Sequence, residues 1–101
     1  MIDFQRLPRF NFPQTTGRPQ SITQAAVFGS RVNRADAAIN GLDIGFSQSD
    51  HHLFREQVDV STTINNNTVN VTVNFALRDS SGFFDDAYNG FVDVLVIVDR
   101  V

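Results

Sequence analysis

The stretch that decides the fold runs from Thr68 to Phe75 and reads TVNVTVNF. Valine or phenylalanine fills every second position, and threonine or asparagine fills the positions between them. Because successive side chains of a strand point to opposite faces, this alternation predicts a β-strand with one buried face and one face in water. The triplet before it, residues 65–67, is all asparagine. Asparagine tolerates turn conformations, so the triplet predicts a hairpin tip.

Two further segments extend the β pattern on either side of this strand. Leu53–Val60 predicts a strand at a sheet edge or interface, because Glu56 interrupts its apolar face. Residues 91–98 read FVDVLVIV, a nearly continuous apolar run that predicts a strand covered on both faces. Asp93 breaks that run, and an unpaired buried carboxylate costs several kcal/mol. We therefore expect Asp93 either to lie at a sheet edge or to pair with an arginine from another strand or subunit.

Residues 35–46 allow two interpretations. Ala35 to Asn40 has helical propensity, so two helical turns ending before Gly41 are one of them. We favour a strand, because a β-bulge at Asn40-Gly41 lets the apolar positions continue on one face. Those positions are Ile39, Leu42, Ile44 and Phe46.

Size and composition predict one folded domain. The chain has 101 residues, of which 42% are hydrophobic and 19% are charged, too apolar for a disordered chain. Several short strands between polar turns predict an all-β fold, a small antiparallel six-stranded β-sandwich over residues 20–101. Residues 1–19 hold all three prolines and predict an extended N-terminal arm. Its apolar residues allow either docking on another surface or a partly ordered terminus.

The charge is unevenly distributed. All eight basic residues are arginine, and five of them precede residue 35, whereas ten of the eleven acids follow it. This asymmetry predicts contact between arm and body, within one chain or between copies. The net charge of −3 argues against a nucleic-acid partner. No run approaches the ~20 apolar residues of a membrane span and the N-terminus has no signal-peptide pattern, so we expect a soluble protein without membrane insertion. Its compartment stays open, with a virion as one option.

Segments between residues 39 and 99 follow the order of a known family. The run Ile39-Asn-Gly-Leu-Asp-Ile-Gly45 is similar to that family's strand ending in a Leu-Asp pair, and His52–Val60 to its Asn-Leu-Arg strand. Val69–Ala76 is similar to the strand that leads into a Thr-Trp-x-Asp/Asn-Thr segment, which is followed by a tyrosine, here Tyr88, and a closing apolar strand. On these segments the chain resembles an H-type lectin domain, the type found in snail agglutinins and discoidins.

The resemblance implies a β-sandwich that assembles as a homotrimer or homohexamer. It implies site positions at His52, Asp79 and Tyr88. The chain has no tryptophan, and Leu77 stands where the family has one. Because stacking on a sugar needs an aromatic ring, the resemblance implies the fold and assembly more directly than sugar binding.

A ligand site is predicted where the turn before one strand, the turn after another and the start of the last strand meet. Arg55 joins it on chemistry alone, since a planar five-donor group suits hydroxyl pairs or carboxylates. The predicted site residues are Asp50, His52, Arg55, Arg78, Asp79 and Tyr88.

Two loops have competing interpretations. His51 and His52 could reach a metal ion, but adjacent side chains on an extended chain diverge, so we favour a solvated His51 and a His52 that anchors its strand. The acidic run through residues 78–86 has oxygen ligands of the calcium type without EF-hand spacing, so we favour a solvated loop. Phe83 and Phe84 within it either point outward or cover the end of the sandwich. No metal and no cofactor is therefore predicted.

An enzyme is not predicted. The chain has no cysteine, one glutamate, and neither a Gly-x-Ser-x-Gly motif nor a phosphate-binding loop. Two hypotheses compete. The first is a non-enzymatic oligomeric binding module that recognises a carbohydrate or another surface polymer. The second is a structural assembly protein, such as a phage virion or tail component.

Overall fold

Alternating apolar and polar residues produce strands throughout the part of the chain that the structure describes. The structure is a computed structural model that describes residues 1–15, 19–46, 53–79 and 88–101, with side chains for 1–13, 19–43, 58–75 and 89–101. Within these ranges no helix could cross a membrane. The strands are β1 (Ile2–Arg6), β2 (Phe10–Thr15), β3 (Gln20–Val27), β4 (Val32–Phe46), β5 (Leu53–Asn65), β6 (Thr68–Asp79) and β7 (Tyr88–Arg100).

The strands form two antiparallel sheets that pack face to face. In sheet A, β7 is central, with β4 along one edge and β1 and β2 along the other. Sheet B has the order β3-β6-β5. The predicted small antiparallel β-sandwich is therefore confirmed. The described residues contain seven strands rather than six: residues 20–101 supply five, β3 to β7, and the N-terminal segment supplies β1 and β2 to sheet A.

The core lies between the two central strands. Alternate residues of β6 and β7 face inward, and each is at most 1% exposed. This confirms the predicted core, which consists of Val69, Val71, Val73, Phe75, Val92, Val94, Val96 and Val98. The N-terminal segment adds Leu7, Phe10 and Phe12, and the Phe12 ring stacks on Phe75 with centroids 4.3 Å apart. The arm is thus part of the core rather than a loose terminus.

The outward-facing side of β7 differs from the prediction. Residues 91–98 were expected to be covered on both faces, but Ile97 is 38% exposed and Leu95 is half-buried. The reason is architectural, since in a two-layer sandwich each sheet has only one inner face and no described element covers the other side of sheet A.

The predicted turn and bulge are both present. β5 and β6 are joined through Asn66 and Asn67, and Asn66 adopts the left-handed conformation with a φ of 57°. In β4 the register with β7 shifts between Ile39 and Gly41, which leaves Asn40 as the extra residue of a β-bulge. The bulge puts Ile39 and Leu42 on the same face, so the strand interpretation of this segment is confirmed and the helical alternative is wrong.

Candidate functional site

A cluster of polar groups and one aromatic ring lies on the outward-facing side of sheet A. Phe91 and Asp93 are outward-facing residues of the central strand β7. The register places Asn11 of β2 and Asp43 of β4 on either side of Phe91, and Gly41 of β4 beside Asp93. Three strands thus bring residues from distant parts of the chain into one patch, which we call the Arg9 cluster after the residue that crosses it.

Arg9 holds the cluster together. It lies between β1 and β2, directly after Pro8, and its side chain reaches across β7. Its Nε and Nη2 each donate a hydrogen bond of 3.0 Å to one carboxylate oxygen of Asp93, the bidentate geometry that favours arginine over lysine. Its guanidinium carbon lies 3.6 Å from the centre of the Phe91 ring. The predicted arginine partner of Asp93 is therefore confirmed, and it comes from the N-terminal arm of the same chain.

The electrostatics of the cluster favour a charged Arg9. The hydrogen bonds with Asp93 raise the pKa of Arg9, and the negative charges of Asp93 and Asp43 raise it further. The side chains of Arg9 and Asp93 are nevertheless 50% and 30% exposed. The pair is thus oriented and charged while still accessible from solvent.

Several groups of the cluster remain available to a ligand. Arg9 donates to Asp93 through Nε and Nη2, so its two Nη1 hydrogens form no hydrogen bond with Asp93 and can donate to a ligand. Asp43 forms no ion pair with any described residue. Asn11 donates its amide to the Arg9 carbonyl at 3.4 Å, so its side-chain oxygen can still accept a hydrogen bond. Donors beside acceptors on a flat surface suit a molecule rich in hydroxyl groups.

Four of the six predicted site residues lie within the described part of the chain. Asp50 and His52 lie outside the described residues, as do His51, Phe83 and Phe84. The β5–β6 register pairs Arg55 with Arg78 and Leu53 with Asp79, so three of the predicted residues occupy neighbouring backbone positions of sheet B.

Tyr88 belongs to the other sheet. It is the first residue of β7 and pairs with Phe46 and Thr15. Asp79 is the last residue of β6. Asp79 was expected in the turn after its strand and is a strand end instead, because the β5–β6 ladder continues to this position. Tyr88 lies at the start of the last strand, where the site was predicted to include it.

Sequence reasoning missed Arg9, Asn11, Asp43 and Phe91 as members of one site. Two signals pointed toward it, the carboxylate of Asp93 within an apolar strand and the excess of arginine in the arm. Neither feature predicts which arginine pairs with Asp93, because that depends on the strand register, which sets which residue of the arm lies near Asp93. Metal binding has no support in the described ranges, where no three histidine or acidic side chains come together.

No protein-family model, curated protein or solved structure matches this chain. Functional inference therefore rests on the geometry of the Arg9 cluster and on the sequence.

Proposed function

We propose that this chain is a non-enzymatic binding module that recognises carbohydrate and works as an oligomer. The observation that carries the proposal is the Arg9 guanidinium, stacked on Phe91 and fixed by two hydrogen bonds to Asp93. A group held in this way loses little conformational entropy when it binds a ligand. Sugars present adjacent hydroxyls that accept from a guanidinium and donate to a carboxylate such as Asp43.

The resemblance of residues 39–99 to H-type lectin domains supports the same class of ligand. The family's aromatic position carries Leu77 here, and Leu77 lies in sheet B. In the Arg9 cluster on sheet A, a sugar would instead meet the guanidinium of Arg9, which lies over the Phe91 ring. Binding through hydrogen bonds to an exposed surface is weak per site. Useful affinity then requires several copies of the chain to engage one polymer at once, which a homotrimer or homohexamer provides.

A glycan array tests the proposal, with the wild-type protein as reference. Asp43→Asn removes the charge of the free carboxylate and keeps its size, and Arg9→Lys keeps the positive charge but loses the planar two-bond geometry. We expect both variants to lose binding to the glycans that the wild type retains. Asp59→Asn is the matched control, because Asp59 is an exposed aspartate on the outward-facing side of sheet B.

The double variant Asp79→Ala/Tyr88→Ala tests the site predicted from the sequence. If it alone abolishes binding, the carbohydrate site lies at the ends of β6 and β7 rather than at the Arg9 cluster. If the wild type binds no glycan at any concentration used, carbohydrate recognition is wrong.

The second candidate function is a structural assembly unit, such as a virion or tail component. It is favoured by exposed apolar side chains at the other end of the same surface of sheet A. Ile2 and Phe4 are 69% and 67% exposed, and Ile2 and Ile97 help to line a surface pocket of about 300 Å³. Large exposed apolar groups in one patch are typical of protein interfaces. Ordered assembly without glycan binding would support this function.

A further inference from the structure

The core is covered to different extents along the two long sides of the sandwich, where the edges of the two sheets meet. On the side where β2 and β3 meet, two glutamine amides of β3 reach across to the arm. Gln24 donates to the Pro8 carbonyl at 3.0 Å, and Gln20 donates to the Pro13 carbonyl at 3.2 Å. These hydrogen bonds join the two sheets and cover the core from that side.

On the opposite side, where β4 and β5 are the edge strands, the core is open. Ile39, Leu42 and Ile64 take inner-face positions on these strands, yet they are 42%, 44% and 43% exposed. Their register partners on the central strands are Val94, Val92 and Val69, which are at most 1% exposed. The exposed fraction of these inner-face side chains thus rises from nearly zero on the central strands to 42–44% on the neighbouring edge strands. We call the surface formed by Ile39, Leu42 and Ile64 the open side.

Most described inner-face positions of the two edge strands carry no charge. On β4 and β5 the uncharged positions are Val32, Ala35, Ala37, Ile39, Leu42, Val58, Val60, Thr62 and Ile64. Glu56 is the exception, because it pairs with Leu77 and takes the inner-face position of β5 next to Val58. Natural edge strands are usually protected by charged side chains, proline or a covering element, and β4 has a β-bulge at Asn40 that interrupts its free edge. The bulge disfavours extension of sheet A by another strand. At β4, a partner therefore has to cover the open side through side-chain packing rather than by adding a strand.

We propose that a second copy of this chain packs against the open side. The Cα positions span 50 × 18 × 18 Å, so a whole long side has a footprint on the order of 900 Å². A standard stable interface buries ~800 Å² on each partner, so the side that contains Ile39, Leu42 and Ile64 is large enough to hold one. The inner-face positions of residues 35–42 and 58–64 form an uncharged strip, which the same strip of another copy matches in length and chemistry. This inference rests on the oligomeric part of the proposed function and is independent of the carbohydrate part.

Sedimentation velocity of the full chain over a range of micromolar concentrations tests the proposal. We expect the wild type to sediment as a multiple of 11.3 kDa. Leu42→Glu and Ile64→Glu should each raise the dissociation constant at least about tenfold, because they bury a charge in an apolar interface. Val27→Glu is the matched control, since Val27 is 61% exposed on the outward-facing side of sheet B. It should assemble as the wild type does.

Thiol labelling keeps the test decisive if a glutamate variant fails to fold. The chain has no cysteine, so Ile64→Cys and Val27→Cys each introduce a single thiol. At concentrations where the protein is assembled, maleimide should react several-fold more slowly with the thiol of Ile64→Cys than at dilutions where it is monomeric. The labelling rate of Val27→Cys should not change with concentration.

These experiments distinguish failure of the open-side contact from failure of oligomerisation as a whole. A wild type that stays at 11.3 kDa throughout overturns both the open-side contact and the oligomeric part of the proposed function. An assembled wild type whose Ile64→Cys thiol labels equally fast at all concentrations overturns the open-side contact alone. Glycan binding by the wild type, present or absent, bears only on the carbohydrate proposal.

Discussion

Gly41 of β4 leaves the space that the carboxylate of Asp93 occupies. A Cβ atom on Gly41 would lie 2.6 Å from Oδ2 of Asp93 and 3.1 Å from its Cβ. The second atom is attached directly to the backbone of β7, so a simple side-chain rotation does not relieve both contacts. The close approach couples the bulge in β4 to the Arg9–Asp93 pair, because the residue after the bulge must be small for the carboxylate to face Arg9.

Gly41→Ala tests this coupling. We expect it to lower the free energy of unfolding by about 1–3 kcal/mol, the usual cost of forcing an extra carbon into a packed site. Urea denaturation measures the change. Gly29→Ala is the matched control, because a Cβ there would only touch the Arg100 side chain at 3.6 Å. Equal free energies of unfolding for the two variants would show that Asp93 can shift to accommodate the added methyl group without destabilising the fold.

Val71→Asp tests the assignment of the buried face of β6. Val71 is completely buried between the sheets, so the substitution buries an unpaired carboxylate. We expect a loss of several kcal/mol and no cooperative folding. Circular dichroism with urea denaturation measures this. Asn70→Asp places the same charge on the outward-facing side and should fold, so similar unfolding of both variants would contradict the assignment of faces.

The β5–β6 hairpin depends on the backbone conformation of Asn66. A β-branched residue is disfavoured at its φ of 57°. Asn66→Val should therefore reduce the free energy of unfolding by about 1–2 kcal/mol, measured by urea or thermal denaturation. Asn66→Gly, which suits the same conformation, should be as stable as the wild type. A large loss in the glycine variant would mean that the asparagine side chain, and not the conformation, stabilises the turn.

Stability should depend on pH through Asp3. A 2.9 Å hydrogen bond from Arg100 Nε and a second from the backbone of Phe4 lower the pKa of Asp3. A group whose folded pKa is depressed contributes stability above its unfolded value of about 3.9 and loses it as the pH falls through the folded value.

The Asp3→Asn variant isolates this contribution. We expect the wild type to be the more stable protein at pH 7, and the difference in unfolding free energy to shrink between about pH 5 and pH 2. Urea denaturation at a series of pH values measures it. A difference that stays constant over this range would show that the contact with Arg100 does not depend on the charge of Asp3.

The sequence predicted the fold through local patterns. Alternation in residues 68–75 identified both the strand and its buried face, and the asparagine triplet identified the turn. Even the bulge at Asn40 could be predicted, because it is the one irregularity that keeps Ile39 and Leu42 on one face. These features depend on the period of side-chain direction along a strand, which is a local property of the chain.

The sequence could single out individual residues of the Arg9 cluster, but it could not predict that they lie together. The sequence indicated that Asp93 needs an arginine, but the arm and its surroundings offer several. Strand register decides between them, because it places Asn11 and Asp43 on either side of Phe91 and leaves Gly41 beside Asp93. Register depends on contacts between residues more than thirty positions apart.

The sequence by itself determined that the chain forms strands, which face of each strand is apolar and that Asp93 requires a cationic partner. The tertiary structure decided which arginine pairs with Asp93, that the N-terminal segment joins sheet A, and that one long side of the core is open at Ile39 and Ile64. The physical reason is that the direction of a side chain follows from the local backbone. The residues that a side chain contacts depend on which distant strand lies beside it and in which register. Both are determined only when the chain folds.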